Sequence, residues 1–313
     1  MTERADPREF GLTRRSIQTP AGETVVWQRV SAQQHRTIGI DAPTGTGTEA
    51  ARPPLVLLHG AAGSWTTFAG LLRAADAEGR ELGVVLAFDL PGFGASTARL
   101  DPSVTIDAVA DAVELGVRSF GYDSARLVGH SMGGLLALHL AARRETIAAS
   151  VLAISPSSSG VIAAVDMPRD SLRHGLRALV LLRLGMRLLA PIDGPARRMV
   201  RAAQRIGLVR LLSAPLFRHP LRAPGFAMQA LADDLRPHSF TRAADALRGY
   251  AMAGWRSVAC PVAIVVGDHD VFIASDDVRK IAELVPHATV AEVADCGHFP
   301  HVEHPSAVLA QID

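Results

Sequence analysis

One serine in this sequence occupies a setting that can make it a nucleophile. Residues 129–134 read GHSMGG, so Ser131 lies in a Gly-x-Ser-x-Gly pattern between an apolar run and a helix-like segment. The glycines have a steric reason, because the serine takes a strained turn in which neighbouring backbone segments converge. The amide groups that begin the helix would face negative charge developing at the serine. The alternative is an unreactive Gly/Ser turn, and the context favours a reactive serine.

Two later segments supply the groups that such a serine needs. A hydroxyl is a weak nucleophile at neutral pH, so an imidazole must accept its proton and a carboxylate must orient that imidazole. Residues 267–270 read GDHD after an apolar run and offer Asp268 and Asp270. Residues 296–300 read CGHFP and offer His298. The chain therefore carries a serine, an acid and a histidine in that order, a set suited to acyl transfer.

A third segment predicts where an oxyanion would be held. Residues 59–63 read HGAAG directly after the apolar run at residues 55–58. Small side chains leave backbone N–H groups open to a ligand, so the N–H of Ala61 can pair with that of Met132 as an oxyanion hole. The alternative is an ordinary glycine-rich loop. We expect His59 to order this loop rather than to titrate in catalysis.

Short apolar runs alternate with helix-like segments and predict the elements that must position these residues. The runs are residues 55–58, 84–88, 125–128, 151–154 and 262–266. The clearest helices between them are residues 105–120 and 132–144. Residues 16–19 and 23–30 indicate an opening hairpin, and residues 42–54 a loop. This alternation predicts an α/β protein with a mostly parallel central sheet flanked by helices.

Residues 160–250, which we call the cap segment, break the alternation. They are rich in Leu, Arg and Ala at helical spacing, and predict a helical cap inserted into a core of residues 1–159 and 251–313. The cap segment holds 15 Arg and 6 Asp without Lys or Glu, so it carries +9 and the rest of the chain −8. Solvated arginines are the simpler interpretation. The alternatives are attraction of an anionic substrate, an acidic carrier protein or a membrane surface.

Five motifs in this order resemble the α/β-hydrolase superfamily, particularly its lidded esterase-like and carbon–carbon-bond hydrolase branches. The resemblance runs from about residue 16 to the C-terminus outside the cap segment. The motifs are HG at 59–60, DLPGFG at 89–94, GHSMGG at 129–134, GxxD at 267–270 and GHFP at 297–300. The resemblance implies an α/β-hydrolase fold with Ser131 as nucleophile, His298 as base and Asp270 as the acid. Asp268 is the less favoured acid, and Asp89 matches a turn-forming aspartate of the family.

The resemblance does not select one reaction. A serine in the turn disfavours the epoxide hydrolases and haloalkane dehalogenases of this fold, which use aspartate there. We expect hydrolysis of a small to medium carboxylic ester through an acyl-enzyme. Alternatives are a ring-cleavage carbon–carbon hydrolase, a thioesterase, a lactonase, a cofactor-free haloperoxidase, or a ligand-binding protein without catalysis. No cofactor or metal is expected. Trp65, Phe68, Phe93 and Met132 are predicted to line the substrate site because they lie near the motifs in the sequence.

Composition narrows the class of protein. Hydrophobic residues make up 48% of the 313 residues and the net charge is +1, which is typical of a globular protein without a nucleic-acid bias. The two cysteines, Cys260 and Cys296, are expected to be free thiols. Residues 176–192 are apolar but contain three arginines, so no transmembrane segment is predicted. With no secretory pattern at the N-terminus, we expect a cytoplasmic protein.

Overall fold

Eight strands form one sheet in the computed structural model, which describes residues 4–30, 52–96, 100–101, 103–173 and 176–312. The order across the sheet is β1-β2-β4-β3-β5-β6-β7-β8. Only the pairs β1–β2 and β2–β4 are antiparallel. The strands are β1 Thr13–Thr19, β2 Gly22–Arg29, β3 Leu55–Leu58, β4 Val85–Asp89, β5 Ala125–His130, β6 Ala148–Ile154, β7 Val262–Gly267 and β8 Thr289–Val293.

Helices cover both faces of this sheet and fill the connection between β6 and β7. The helices outside that connection are α1 Ala69–Ala77, α2 Ile106–Ser119, α3 Met132–Arg143, α11 Ser275–Leu284, α12 Pro300–Glu303 and α13 Pro305–Leu309. Those within it are α4 Ser159–Asp166, α5 Pro168–Arg173, α6 Arg177–Leu189, α7 Asp193–Arg205, α8 Leu208–Leu212, α9 Gly225–Asp234 and α10 Pro237–Ala246. The predicted α/β fold with a mostly parallel sheet is confirmed.

The central strands are apolar throughout because both of their faces are buried. In β3, Val56 and Leu58 pack into the core beneath α2 and α3, whereas Leu55 and Leu57 pack into the core beneath α1 and α13. Side chains alternate between the two faces of a strand, so a strand covered on both sides needs an unbroken apolar run. This arrangement explains why the short runs of the sequence predict the inner strands well.

The sequence did not predict one strand, and one predicted loop lies mostly outside the described residues. Strand β8 was not predicted, because it lies at the sheet edge with several exposed side chains and has no continuous apolar run. The loop prediction for residues 42–54 falls mostly on residues 42–51, which lie outside the described residues. Within the described part of the chain, no helix is both long enough and apolar enough to cross a bilayer.

The sheet brings the ends of its parallel strands together at one edge. β3 leads into the loop at residues 59–63, β5 into Ser131, and β7 into the loop that contains Asp270. The carboxyl ends of parallel strands share one edge of the sheet, and ligands of open α/β sheets bind there. Segments that are up to about 200 residues apart in the sequence therefore meet in one place.

The contact between α3 and the end of β3 generates a stability prediction. A Cβ added at Gly133 would overlap the backbone carbonyl of Leu58, whereas one added at Gly185 in α6 would meet no atom within 4 Å. We expect Gly133→Ala to cost about 3 kcal/mol or more, because backbone cannot yield as a side chain can. Gly185→Ala should stabilise the helix by about 0.5–1 kcal/mol. Thermal unfolding by circular dichroism checks both, and equal melting temperatures would contradict the close approach.

Candidate active site

Ser131 has an unusual backbone conformation at the junction of β5 and α3. Its φ of 53° and ψ of −116° lie outside the regions that a residue with a side chain favours. The N–H of Ser131 donates to the carbonyl of Ile154 and its own carbonyl accepts from the N–H of Ser157, both at 2.9 Å. Hydrogen bonds to the end of β6 and to the chain that follows it therefore hold the strained turn, and strained backbone of this kind is a feature of functional sites.

His298 and Asp270 form a buried pair. Nδ1 of His298 lies 3.0 Å from Oδ1 and 2.9 Å from Oδ2 of Asp270, and the two side chains are 4% and 0% exposed. Oδ1 of Asp270 also accepts the N–H of Phe272 at 2.8 Å. A carboxylate at Nδ1 holds the proton there and leaves Nε2 as the proton acceptor. Nε2 makes no hydrogen bond to any described residue, so it is free for a substrate or a nucleophile.

Backbone contacts fix the imidazole of His298 from several sides. The backbone N–H of His298 donates to the carbonyl of Leu216 in the cap segment at 2.9 Å. Its carbonyl lies 2.9 Å from Nε2 of His130, which donates to it. The ring of Phe272 packs edge-on against it, with the ring centres 4.7 Å apart. The position of His298 therefore depends on the sheet, the serine turn and the cap segment together.

Glu303 is a second link between the histidine loop and the cap segment. Its Oε1 accepts the N–H of Gly297 and its Oε2 accepts the N–H of Arg218, each at 2.8 Å. Because Gly297 directly precedes His298, the carboxylate joins the two backbone segments that border the imidazole. Sequence reasoning missed Glu303, since nothing in its local pattern distinguishes it from a solvated glutamate.

His59 orders the neighbouring loop, as the sequence predicts. Its Nε2 accepts the N–H of Leu90 at 2.9 Å, and its Nδ1 lies 2.7 Å from the carbonyl of Gly60, to which it donates. Burial lowers the pKa of His59 to about 4. A neutral imidazole with this tautomer can satisfy both partners at neutral pH.

Two backbone amides near Ser131 are free to bind an anion. Neither the N–H of Ala61 nor that of Met132 has an acceptor among the described residues. Met132 is the first residue of α3, where an N–H has no partner within the helix and the helix dipole favours negative charge. One cavity is lined by four residues of the candidate site, Ala61, Ser131, Met132 and His298. The arrangement can stabilise an oxyanion that forms beside the serine.

The cavity is small and mostly apolar. Its volume is about 140 Å³, close to the roughly 150 Å³ of an engineered apolar cavity that holds benzene. Lining residues from the cap segment include Val161, Leu179, Leu182, Met186, Phe240 and Leu247. An apolar lining of this kind suits a hydrocarbon portion of a ligand.

Among the described residues that line this cavity, Arg183 is the one with a permanently charged cationic side chain, and it is largely buried. Its guanidinium donates to the carbonyl of Val165 at 3.0 Å and to Oδ1 of Asp245 at 2.9 Å. Its Nε has no partner among the described residues. The sequence showed three arginines between residues 176 and 192, but their spacing alone did not identify which of them is buried in the cavity wall.

The predicted lining residues Trp65, Phe68 and Phe93 do not line this cavity, and that prediction is wrong. Trp65 packs against Phe10 and Trp27, Phe68 is fully buried in the core, and Phe93 packs edge-on against His59. Large aromatic side chains contribute most by complete burial, and closeness to a motif in the sequence does not set the direction of a side chain. Among the described residues, the phenylalanines that line the cavity are Phe240, Phe272 and Phe299.

The two candidate acids occupy different places. Asp270 contacts His298, whereas Asp268 accepts the N–H groups of Cys296 and Asp295 at 3.0 Å and pairs with His269. The hydrogen bond from Cys296 is the largest cause of the lowered pKa of Asp268. Asp268 therefore stabilises the loop that leads to His298 without contacting the imidazole.

Asp234, at the end of α9, joins the cap segment to the core beside the loop at residues 59–63. Ser64 Oγ lies 2.5 Å and Thr66 Oγ1 2.8 Å from its Oδ2. Burial raises the pKa of Asp234 to about 7, and nearby Asp89 adds to the effect.

The carboxylate of Asp89 itself accepts the N–H groups of Trp65 and Ala95, in agreement with its predicted role in the turn.

Comparison with known proteins defines the class. A model of the alpha/beta hydrolase family matches residues 55–312, and the chain belongs to this family. A pimeloyl-(acyl-carrier protein) methyl ester esterase of Chromobacterium violaceum is 29% identical over 256 residues, 80% of this chain and 89% of that protein. A 2-hydroxy-6-oxononadienedioate/2-hydroxy-6-oxononatrienedioate hydrolase of Burkholderia vietnamiensis is 31% identical over 130 residues, 42% of this chain and 44% of the relative.

Solved structures share the fold. The enol-lactonase from Burkholderia xenovorans LB400 has a TM-score of 0.68 at 17% identity, with 95% of this chain and 98% of that chain covered. Together with the family, the relatives support a hydrolase activity. The described residues contain no group of side chains suited to hold a metal ion.

The different positions of the two acids generate a prediction for catalysis. Asp270→Asn should lower kcat for a p-nitrophenyl ester by about 10⁴-fold, because an amide at Nδ1 favours the wrong tautomer of His298. Asp268→Asn should leave kcat within about tenfold of wild type, since it does not touch the imidazole, and should lower the melting temperature. Steady-state kinetics and thermal unfolding separate the two. A larger loss of kcat in Asp268→Asn would overturn this assignment.

The raised pKa of Asp234 generates a prediction for stability against pH. A carboxyl whose pKa is raised on folding stabilises the fold below its unfolded pKa of about 3.9, and that stabilisation is lost as pH rises through about 7. Asp234→Asn keeps an acceptor for Ser64 and Thr66 and does not ionise. The melting temperature of wild type relative to Asp234→Asn should therefore fall between pH 5 and pH 8. Parallel pH profiles would show that Asp234 does not ionise in this range.

Proposed function

We propose that the protein is a serine hydrolase that cleaves a small to medium carboxylic ester through an acyl-enzyme. In this proposal Ser131 is the nucleophile, His298 the general base and Asp270 the residue that orients it. Ala61 and Met132 supply the oxyanion hole. The main support for this proposal is that one cavity is lined by a strained serine, two backbone amides without acceptors and an imidazole bound to a carboxylate.

The reaction follows from the roles of these groups. Oγ of Ser131 attacks the ester carbonyl carbon while its proton passes to Nε2 of His298. The carbonyl oxygen becomes an oxyanion, which accepts hydrogen bonds from the N–H groups of Ala61 and Met132. The tetrahedral intermediate expels the alcohol, which takes the proton from His298. Water then attacks the acyl-enzyme by the same steps and releases the carboxylic acid.

The cavity favours an apolar acyl or alcohol portion. The cap segment supplies much of the apolar lining, so we propose that residues 160–250 act as a lid that selects the substrate. The similarity to a pimeloyl-(acyl-carrier protein) methyl ester esterase supports an ester as the first choice. An acyl group carried by a protein is compatible with the basic cap segment.

Carbon–carbon hydrolysis of the ring-cleavage type is the second candidate. Arg183 favours it, because a largely buried guanidinium in the wall of an apolar cavity suits a substrate with a second oxygen-bearing group. The similarity to a hydrolase of 2-hydroxy-6-oxo dioates points in the same direction. The same serine, histidine and aspartate would serve both reactions.

Hydrolysis of a graded series of p-nitrophenyl esters, from acetate to long acyl chains, tests the proposal. Ser131→Ala should lose at least about 10³-fold in kcat/KM. Ser157→Ala is the matched control, since Ser157 lines the same cavity and should change kcat/KM by less than about tenfold. The chain-length optimum measures the space for the acyl group. A folded wild type without turnover of any ester would instead favour carbon–carbon hydrolysis or a binding role.

A further inference from the structure

The exposed apolar side chains of this protein are concentrated in the cap segment. Among the described residues, 12 of the 15 large hydrophobic side chains that are exposed lie between residues 160 and 250. Single exposed apolar residues are common on protein surfaces, but a concentration in one region marks a site of interaction. The cap segment also carries a net charge of +9, whereas the rest of the chain carries −8.

Helix α6 shows two apolar faces with different surroundings. Leu181, Leu184 and Leu188, which are 62%, 50% and 70% exposed, share one face at helical spacing. The opposite face buries Leu179 and Met186, which line the cavity. A helix that is apolar on both faces normally has partners on both. Here one partner is the cavity wall, and the outer face meets solvent.

The segment of α7 and α8 repeats the pattern. Ile206, Leu211 and Leu212 are 79%, 69% and 66% exposed. Arg201 and Arg205, near the end of α7, are exposed and form no ion pair within the described chain. The same is true of Arg187 in α6. In both segments, exposed arginines without an ion pair in the described chain therefore lie close in sequence to exposed leucine and isoleucine side chains.

The chemistry of this surface selects its partner. A second copy of the chain would place two cap segments of charge +9 against each other, which opposes association. An acidic protein would pair with the arginines but would not need the leucines and isoleucine. An anionic lipid bilayer satisfies both, since apolar side chains enter the boundary of the acyl chains while arginines contact the lipid phosphates.

We propose that the cap segment docks on the surface of anionic membranes through the outer faces of α6 and α8. The docked helices lie in the plane of the interface and do not cross the bilayer. Because α6 separates this surface from the cavity, docking places the cavity wall next to the lipid. An ester dissolved in the membrane then has a short path to the cavity.

Sedimentation with lipid vesicles tests the docking with the full chain. Wild type should bind vesicles of equal parts phosphatidylcholine and phosphatidylglycerol, bind pure phosphatidylcholine at least about tenfold more weakly, and lose affinity as salt rises. The combined variant Leu181→Ser, Leu184→Ser and Leu188→Ser should bind at least about tenfold more weakly. Leu115→Ser is the matched control, because Leu115 is an exposed leucine on α2 in the body and should leave binding unchanged.

The contribution of the arginines to vesicle binding is tested separately. The pair Arg201→Gln and Arg205→Gln should weaken binding at least about tenfold. Arg279→Gln, on an exposed arginine of α11 that pairs with Asp276, is the control. Circular dichroism and turnover of a short water-soluble ester should match wild type in all these variants, since none of the residues lines the cavity. Ser131→Ala should bind vesicles like wild type, so docking is measured independently of the proposed chemistry.

Three results would overturn the docking. The first is no binding to anionic vesicles, and the second is full binding by the leucine variant. The third is a concentration-dependent dimer in size-exclusion chromatography that the leucine variant abolishes, which would assign the face to a second copy. Binding of purified acyl carrier protein without binding to vesicles would assign it to an acidic protein.

Discussion

The close approach of two backbone segments is the constraint on which the site depends. The first turn of α3 contacts the end of β3, and the glycines on either side of Ser131 leave room for this contact. Any side chain at Gly129 or Gly133 would meet backbone atoms. Because the segments touch, Ser131 takes a positive φ, and the amide of Met132 lies near the loop that contains Ala61. The strain at one residue is stabilised by the packing of two strands and a helix.

A second set of contacts connects the cap segment to this centre. Leu216 accepts the N–H of His298, Glu303 joins Gly297 to Arg218, and Asp234 receives two hydroxyl groups next to the loop at residues 59–63. The cap segment thus contributes more than a cover for the cavity. It borders the imidazole on one side and the amide-bearing loop on the other. Changes in the cap segment can therefore alter the geometry of the site through backbone hydrogen bonds.

The cap segment has different chemistry on its two sides. Facing the core, it supplies apolar lining and the buried Arg183. Facing outward, it presents leucines beside unpaired arginines. A segment that contacts only the core and solvent needs an apolar inner face and a polar outer face. The exposed leucines on the outer face of the cap segment therefore indicate that this face binds a partner. Helix α6 contributes to both the cavity wall and the outer surface. It therefore lies between the proposed membrane surface and the proposed substrate site.

The sequence by itself determined the fold class, the inner strands and the local settings of Ser131, Ala61 and His298. These are properties of short segments, since an apolar run, a glycine pair and a turn act over a few residues. The sequence did not predict the edge strand β8, because several of its side chains are exposed to solvent and it has no continuous apolar run. Only the tertiary structure brought Asp270 to His298 and turned Asp268 away from it. It also buried Arg183 in the cavity wall and placed Trp65 in the core, because side-chain directions depend on packing between segments far apart in the chain.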